Sequence, residues 1–443
     1  MATGPISSPS RSASEKVNAP VYLSTIDRPA KDAARSRRPR RPPAGISANV
    51  LALGAVSLLT DVSSEMVTAV LPLYFVLALD MSPAAYGVMD GLYTGATALL
   101  RLVGGYVADR TRRRKRVAGV GYAISALAKP ALLLAGGSTP ALGAVIVADR
   151  AGKGLRSAPR DALITLSTPE PMLGRAFGVH RAMDSAGAFA GPLVALGLLG
   201  AVGAASPAAF DALFITSFCV ACMGLLTLML FTRDRRERTS PTEPVTARAA
   251  LGLLGSVRVR RLVYAAALLG LATIGDGFVY LVLMDRQGFS AGWFPLCAVG
   301  TNLVYLTLAA PFGALADRWG RKRMLLCGYA ALCVGYLLLF GPLSATWTTV
   351  LVLGCLGMFY AAADGVLMAL AGPVLPASLR TTGLALVQTA QALAYLVSSV
   401  AFGLAWVSHG PATATRFAAG AVLAAIAVTA VLLPEPAAEE AHA

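Results

Sequence analysis

The sequence has little charge for its length. Only 14% of its 443 residues are Asp, Glu, Lys or Arg, whereas 56% are hydrophobic. A soluble protein of this size would divide into two or three domains and expose far more charge, so the composition excludes that class. The surplus apolar residues need a non-aqueous solvent, and the chain is therefore predicted to lie in a lipid bilayer.

Histidine and cysteine are also scarce, and their positions exclude the common metal and redox sites. The three histidines, His180, His409 and His442, share no ligand spacing. Cys219 and Cys222 have the separation of a zinc or redox pair, but no second pair or His cluster accompanies them. All six cysteines lie within or at the edges of apolar stretches, where a thiol packs as a small hydrophobe. No metal and no cofactor are expected.

A complete phosphate-binding loop is missing as well. Gly152-Lys153-Gly154 is reminiscent of one, but it lacks the G-x4-G-K-[ST] frame and lies in an apolar stretch. Neither direct coupling to ATP nor an enzymatic activity is therefore expected. Residues 1–45, rich in Pro, Ser and Arg, have no cleavable signal pattern and are predicted to form a disordered basic tail in the cytoplasm.

Long apolar runs dominate the rest of the chain. About twelve stretches of roughly 20 residues or more are each long enough, as helices, to cross about 30 Å of hydrocarbon. They are numbered helix 1 to helix 12 and are predicted near residues 47–79, 84–108, 117–136, 140–166, 176–200, 209–231, 262–284, 292–316, 323–341, 346–374, 382–407 and 413–433.

The net charge of +15 is distributed in a way that predicts topology. Basic clusters precede helix 1 and occupy 110–116, 233–261 and 318–323, whereas the alternate loops offer only Arg286 and Arg416. Because cytoplasmic loops carry the excess of Lys and Arg, both termini are predicted to be cytoplasmic, in a multi-pass protein of the plasma membrane. No aromatic or RNA-binding pattern accompanies the arginines, so nucleic-acid binding is not expected.

The helices divide six and six, which indicates duplication. The predicted parts are a tail at 1–45, a six-helix bundle at 46–231, a cytoplasmic linker at 232–261, a second bundle at 262–433 and a tail at 434–443. A phrase recurs one half-chain apart, after helix 2 and after helix 8. Its residues are Gly105, Asp109 and Arg110 in the first copy and Gly313, Asp317 and Arg318 in the second.

These phrases resemble the signature loops of the major facilitator superfamily. GALADRWGRKR, which begins at Gly313, is similar to the family's loop between helices 8 and 9 throughout, whereas the first copy has Arg112 where the family usually has glycine. Arg150 to Gly154 resembles the family's RxxxG phrase in helix 4. The resemblance implies an all-α membrane protein of twelve transmembrane helices in two pseudo-symmetric six-helix bundles, acting as a monomer, with the two loops forming a cytoplasmic gate.

Helix 5 carries a further resemblance. Gly178, Gly187 and Gly191-Pro192 are similar to the core of a motif associated with drug:proton antiporters, although Ala195-Leu196 stand where that motif has a glycine pair. Small residues at i and i+4 let helices touch backbone to backbone, and a proline bends a helix. Gly187, Gly191 and Pro192 are therefore predicted to form a hinge; a static packing seam is the alternative.

Charged residues within the apolar stretches carry most of the functional information, because each is costly in hydrocarbon unless paired or hydrated. Asp61 and Glu65 lie on one face of helix 1. A stripe on helix 4 lies within one arc and is expected to line a wet cavity or to pair with helix 1; it comprises Asp149, Arg150, Lys153, Arg156, Ser157, Arg160 and Asp161. Asp61 and Glu65, opposed by Arg150, are the predicted proton-coupling group.

The predicted substrate site combines helices 4, 7 and 10. Asp276 with Tyr280, and Tyr360 with Asp364, each place a tyrosine one turn from an acid, where its hydroxyl can satisfy one carboxyl oxygen. Lys153, Arg156 and Arg160 are expected to complete the site.

The leading hypothesis is a secondary active transporter that moves a small solute by alternating access, in the form of proton-coupled efflux of a drug-like or metabolite substrate. An importer or exchanger of an anionic metabolite is the alternative within transport, because helix 4 is rich in positive charge. A receptor or scaffold that uses the same fold without transport is the alternative from another class.

Overall fold

A computed structural model describes residues 46–111, 113–169, 172–203, 206–234, 252–363, 366–375 and 380–433, with the side chains at 101–111, 158, 173–174, 317, 372 and 380–382 undescribed. These residues form helices joined by short connections, and no strand occurs among them. Helices satisfy their own backbone hydrogen bonds, which is the requirement that hydrocarbon imposes on a spanning segment.

Six helical segments, α1 to α6, make the first half. Side-chain hydroxyls start two of them, since Ser47 accepts from the Val50 amide and Ser206 from the Ala209 amide. The segments are α1 (Ala48–Ala78), α2 (Pro83–Thr111), α3 (Arg114–Ala135), α4 (Thr139–Leu166), α5 (Leu173–Val202) and α6 (Pro207–Phe231).

The second half repeats this pattern. The long segment Arg380–Leu432 is broken at Gly410, which has a non-helical φ of +80° and is followed in the chain by Pro411. The segment is therefore two helices rather than one. The segments are α7 (Val257–Gln287), α8 (Phe294–Trp319), α9 (Arg321–Leu338), α10 (Ala345–Ala371), α11 (380–409) and α12 (411–432).

The predicted helix content and order agree with the structure. Eight stretches are both long and apolar enough to cross a membrane, and the last of these contains both α11 and α12. α2, α4 and α9 are more polar, but with 29, 28 and 18 residues they are long enough to cross. The described residues therefore fit the predicted count of twelve membrane helices.

Two helices that were predicted to be continuous are broken. α1 is interrupted at Ala69–Val70 and ends in a π-helical turn, Tyr74–Ala78, and α7 is interrupted at 272–275, between Val257–Leu271 and Asp276–Gln287. α7 also begins at Val257, inside the predicted linker. Interruptions at equivalent places in two halves of a membrane protein are typical of transporters, where they border the binding site.

We call the face where α1 begins the proximal face and the face where α1 ends the distal face.

The two halves meet along α2 and α11. A Cβ built on Gly91 would lie 3.0 Å from the Leu396 carbonyl oxygen, and Gly87 and Gly403 make similarly close approaches to backbone of the opposite half. Such contacts require residues without a side chain.

Aromatic rings close the distal end of this interface. Phe278 of α7 packs edge-on against Tyr86 of α2, with ring centroids 4.6 Å apart, and against Phe402 at 4.8 Å. It also makes a tilted contact with Trp406, with centroids 5.8 Å apart. Tyr86 and Phe278 are almost fully buried. These four residues, the distal aromatic cluster, separate the polar interior described below from the distal face.

Candidate functional site

Charged side chains of α1, α4 and α5 meet inside the first half. The Arg156 guanidinium of α4 lies 3.8 Å from the Asp61 carboxylate of α1 and stacks over the Tyr122 ring, with 4.7 Å from guanidinium carbon to ring centroid. Arg160 lies 3.6 Å from the Asp184 carboxylate of α5 and donates to the Ser57 hydroxyl at 3.1 Å. The predicted pairing of the helix 4 stripe with helix 1 is confirmed.

Asp61 and Asp184 also approach each other. Their carboxyl groups lie within hydrogen-bonding reach, so the pair connects α1 to α5 while each member faces an arginine of α4. Two carboxyl groups can form a hydrogen bond only when one of them carries a proton. We call Asp61, Asp184, Arg156 and Arg160 the ionic cluster.

The arginine opposite Asp61 differs from the prediction. Arg150 pairs with its neighbour Asp149, which also accepts from Lys129 of α3 at 2.6 Å, and it stacks 3.7 Å over the Tyr93 ring. About 1.7 helical turns separate Arg150 from Arg156, so Arg150 lies nearer the distal face than Asp61 does.

The side chains of Glu65 and Lys153 have no ion pair or hydrogen bond among the described residues. They interact electrostatically, because the Lys153 ammonium is attracted by the carboxylates of both Glu65 and Asp61. Both side chains are half-buried. Glu65 also borders the contact between α1 and α5, where its Cβ would lie 2.7 Å from a Cβ built on Gly191.

The exposed fraction of the charged side chains rises towards the proximal face. Arg150 and Arg156 expose only 2% and 3%, whereas the side chains of Asp184 and Asp161 expose 25% and 49%. His180, one turn from Asp184, is buried, and neither of its ring nitrogens has a hydrogen-bond partner within the described part of the chain. The interior of the first half is thus more accessible from the proximal end.

In the second half, the buried acid Asp276 of α7 pairs with a hydroxyl group. The Tyr360 hydroxyl donates to the Asp276 carboxylate at 2.9 Å, and the Tyr280 hydroxyl donates to Thr301 at 2.9 Å. The predicted pair of Asp276 with Tyr280 is therefore wrong. The Tyr280 hydroxyl is engaged by Thr301 of α8, and Asp276, the first residue after the break in α7, is reached instead by Tyr360 of α10. Asp364 lies outside the described residues.

Asp90 of α2 connects the halves. Its carboxylate accepts from the Tyr395 hydroxyl at 2.9 Å and from the Ser399 hydroxyl at 2.6 Å, both on α11. A Cβ on Gly275, in the break of α7, would lie 2.5 Å from the same Asp90 oxygen. The sequence identified Asp90 as an intramembrane acid, but nothing in it pointed to Tyr395 and Ser399, which lie about 300 positions away and look like ordinary polar residues of an apolar helix.

The gate residues are described only in part. The side chains of Gly105, Asp109, Arg110 and Asp317 lie outside the described set, whereas Arg318 is exposed at the end of α8. Gly313 was expected to let helix ends approach closely, but a Cβ built there meets no atom within 4 Å. The turn into α9 is made instead by Gly320, whose φ of +99° favours glycine.

The helix 5 glycines form a close contact within the first half. A Cβ on Gly187 would lie 2.5 Å from the Leu58 carbonyl oxygen, and one on Gly191 would lie 2.8 Å from the Val62 carbonyl oxygen. We call this contact between α5 and α1 the glycine seam. Pro192 lies inside α5, which remains helical from Leu173 to Val202. The seam fixes Asp61 and Asp184 relative to each other, since both lie on its two helices.

Together, these features define a class. Two six-helix halves meet at broken and glycine-rich helices, and they enclose charged and hydroxyl groups that no soluble interior would need. This is the architecture of a secondary transporter for small molecules. The chain matches the family profile described as Major Facilitator Superfamily over residues 53–301 and 291–443. The chain belongs to the major facilitator superfamily, and it is a transporter rather than an enzyme.

Similar proteins agree with this assignment. The chain is 30% identical over 391 residues to an MFS-type transporter of Methanocaldococcus jannaschii, a match that covers 86% of this chain and 93% of the relative. A mutant of the nucleoside transporter NupG superposes with a TM-score of 0.76 at 13% identity, covering 87% of this chain and 100% of that one. A D-xylose-proton symporter gives 0.68 at 18% identity, covering 88% and 98%. At these identities the structures show the fold alone.

Proposed function

We propose that this transporter couples solute movement to protons and that it exports a drug-like or metabolite solute. One observation carries the proposal: Asp61 and Asp184 lie within hydrogen-bonding reach while each faces an arginine of α4. A carboxyl pair of this kind holds one proton. When a cation closes on a carboxyl, the ionised form is favoured and the proton leaves.

The geometry indicates which part would move. The glycine seam keeps Asp61 and Asp184 together, so α4 is the element whose shift alters the pair. The 3.8 Å between Arg156 and Asp61 is longer than a hydrogen bond, which leaves room for Arg156 to close. Proton release would then accompany the rocking of the halves, as alternating access requires.

Efflux rests on the resemblance of helix 5 to drug:proton antiporters. The alternative, import or exchange of an anionic metabolite, has less support, because Arg156 and Arg160 each have a carboxylate neighbour that offsets their charge. Under the proposal the protein acts as a monomer in the plasma membrane, with the proximal face and both termini in the cytoplasm and without binding nucleic acid. The cytoplasmic gate and the substrate site of α4, α7 and α10 are parts of the same proposal.

Proton flux into vesicles tests the proposal. Purified protein is reconstituted with a trapped pH indicator, and tetraphenylphosphonium, uridine or succinate is added as a cationic, neutral or anionic probe. We expect one class of probe to elicit proton flux, and Asp61→Asn to reduce it at least tenfold while solute exchange persists. Asp80→Asn, at an exposed position in the loop between α1 and α2, is the matched control and should behave as the unmodified protein. Undiminished flux in both Asp61→Asn and Asp184→Asn would refute proton coupling by this pair.

A further inference from the structure

A small cavity lies between α1, α2, α3 and α4, apart from the ionic cluster. Its volume is about 20 Å³, which is room for a single water-sized occupant. The polar residues that line it are Ser64, Thr68, Tyr93, Lys129, Asp149 and Arg150. The remaining lining is aliphatic.

Positive charge exceeds negative charge around this cavity. Lys129 and Arg150, 3% and 2% exposed, share the single carboxylate of Asp149. Glu65 also acts on Arg150, but it is not within ion-pairing distance and is itself offset by Lys153. One positive charge is therefore left over in a dry environment, where an unpaired charge is costly.

The unused hydrogen-bonding capacity is also of one kind. Lys129 has three donors and uses one, towards Asp149, and the Nε of Arg150 has no partner within the described residues. The Thr68 hydroxyl donates to the Ser64 carbonyl, so the Tyr93 hydroxyl must be the donor in its 2.6 Å contact with Thr68. The polar groups of Lys129 and Arg150 that lack a partner are therefore hydrogen-bond donors. An occupant of the cavity that satisfies them must be a hydrogen-bond acceptor.

We propose that this cavity binds one small monovalent anion of about the size of chloride, held by Lys129 and Arg150. A water molecule would accept the hydrogen bonds but would leave the charge uncompensated. Organic anions exceed the available volume. The bound anion would fasten α3 and α4 to α1, and the site is independent of the solute and of proton coupling.

Thermal unfolding of the purified protein tests the site directly. The melting temperature is measured at fixed pH and ionic strength in sodium chloride and in sodium gluconate, whose anion is too large for the cavity. At ten times the dissociation constant, chloride should raise Tm by about 2 °C. Equal values of Tm in the two salts would mean that water alone fills the cavity, and would overturn the proposal.

Two substitutions should change the chloride response in opposite directions. Lys129→Met removes the excess charge and should abolish the response, whereas Asp149→Asn increases the excess and should enlarge it. Lys115→Met, at the start of the same helix and far from the cavity, is the matched control and should respond as the unmodified protein does. A response that survives in Lys129→Met, or that shrinks in Asp149→Asn, contradicts the assignment.

Crystals of the unmodified protein provide a measurement that needs no variant. Bromide replaces chloride and scatters anomalously, so a soaked crystal should show a peak between the Lys129 ammonium and the Arg150 Nε. No peak at a saturating concentration of bromide would overturn the proposal even if Lys129→Met fails to fold.

Discussion

The two halves of the transporter share a scaffold but hold their buried acids in different ways. In each half a glycine brings equivalent helices into backbone contact: Gly187 of α5 abuts Leu58 of α1, and Gly270 of α7 abuts Gln391 of α11. The acids differ, however. Asp61 and Asp184 face arginines, whereas Asp276 has a tyrosine hydroxyl and no cation within ion-pairing distance among the described residues.

Under the proposed function, this difference corresponds to separate roles for the two halves. A carboxyl opposed by a movable arginine responds to conformation, which suits proton coupling. A carboxyl among aromatic hydroxyls keeps its oxygens available to a ligand, which suits solute binding. The shared scaffold positions both sites, so stability and function can be separated by substitutions that address one half at a time.

The largest expected effect on stability comes from the ionic cluster. Arg156→Gln should lower the free energy of unfolding by about 3 kcal/mol, because removing one partner of a buried pair leaves the other charge uncompensated. Chemical unfolding in detergent measures it. Arg175→Gln, at an exposed position on α5, is the control and should change stability by less than about 0.5 kcal/mol. A similar loss in both variants would show that the buried pair with Asp61 is not the cause.

An intermediate effect is expected at the glycine contacts. Gly187→Ala should destabilise the protein by about 2 kcal/mol, because its new methyl group would collide with a backbone carbonyl that cannot move alone. Gly270→Ala should cost a similar amount, since its contact in the second half is equally close. Gly178→Ala, on the same helix as Gly187 with nothing within 4 Å, is the control and should be neutral or slightly stabilising. Unequal losses at Gly187 and Gly270 would show that the scaffold is not shared.

The smallest expected effect lies in the second half. Tyr360→Phe removes one hydrogen bond to Asp276 and should cost about 1 kcal/mol. Tyr280→Phe should cost about the same, because it removes the bond to Thr301. Only Tyr360→Phe should alter the affinity for the transported solute, measured by equilibrium binding once a solute is known. Equal changes in affinity would argue against a special role for Asp276.

Much of the fold could be predicted because hydrocarbon imposes a simple rule on sequence. Apolar runs of membrane length gave the order of the helices, and the charged stripe on α4 was correctly expected to face α1. The breaks in α1 and α7 were not predicted, although Pro72 closely follows the first break and Gly275 lies in the second, because both breaks lie within apolar runs that hydropathy alone treats as continuous. They depend on contacts with the opposite half, such as that of Gly277 with Pro72.

The partners of individual side chains were harder to predict than the helices. A helix-face argument places Arg150 and Arg156 on one arc but does not give their height relative to Asp61, and the two were exchanged for that reason. Likewise, spacing within α7 favoured Tyr280 as the partner of Asp276, whereas the actual partner comes from α10. Such pairings depend on the rotation and depth of neighbouring helices, which hydropathy does not determine.

The distal aromatic cluster affects the order of events in a transport cycle. Phe278 must leave Tyr86 before the distal face can open, and edge-on ring contacts are worth about 1 kcal/mol each beyond the area that they bury. Opening of the distal face therefore costs the free energy of these contacts, which favours a closed distal end. A solute at the distal face can reach the polar interior only after these rings have separated.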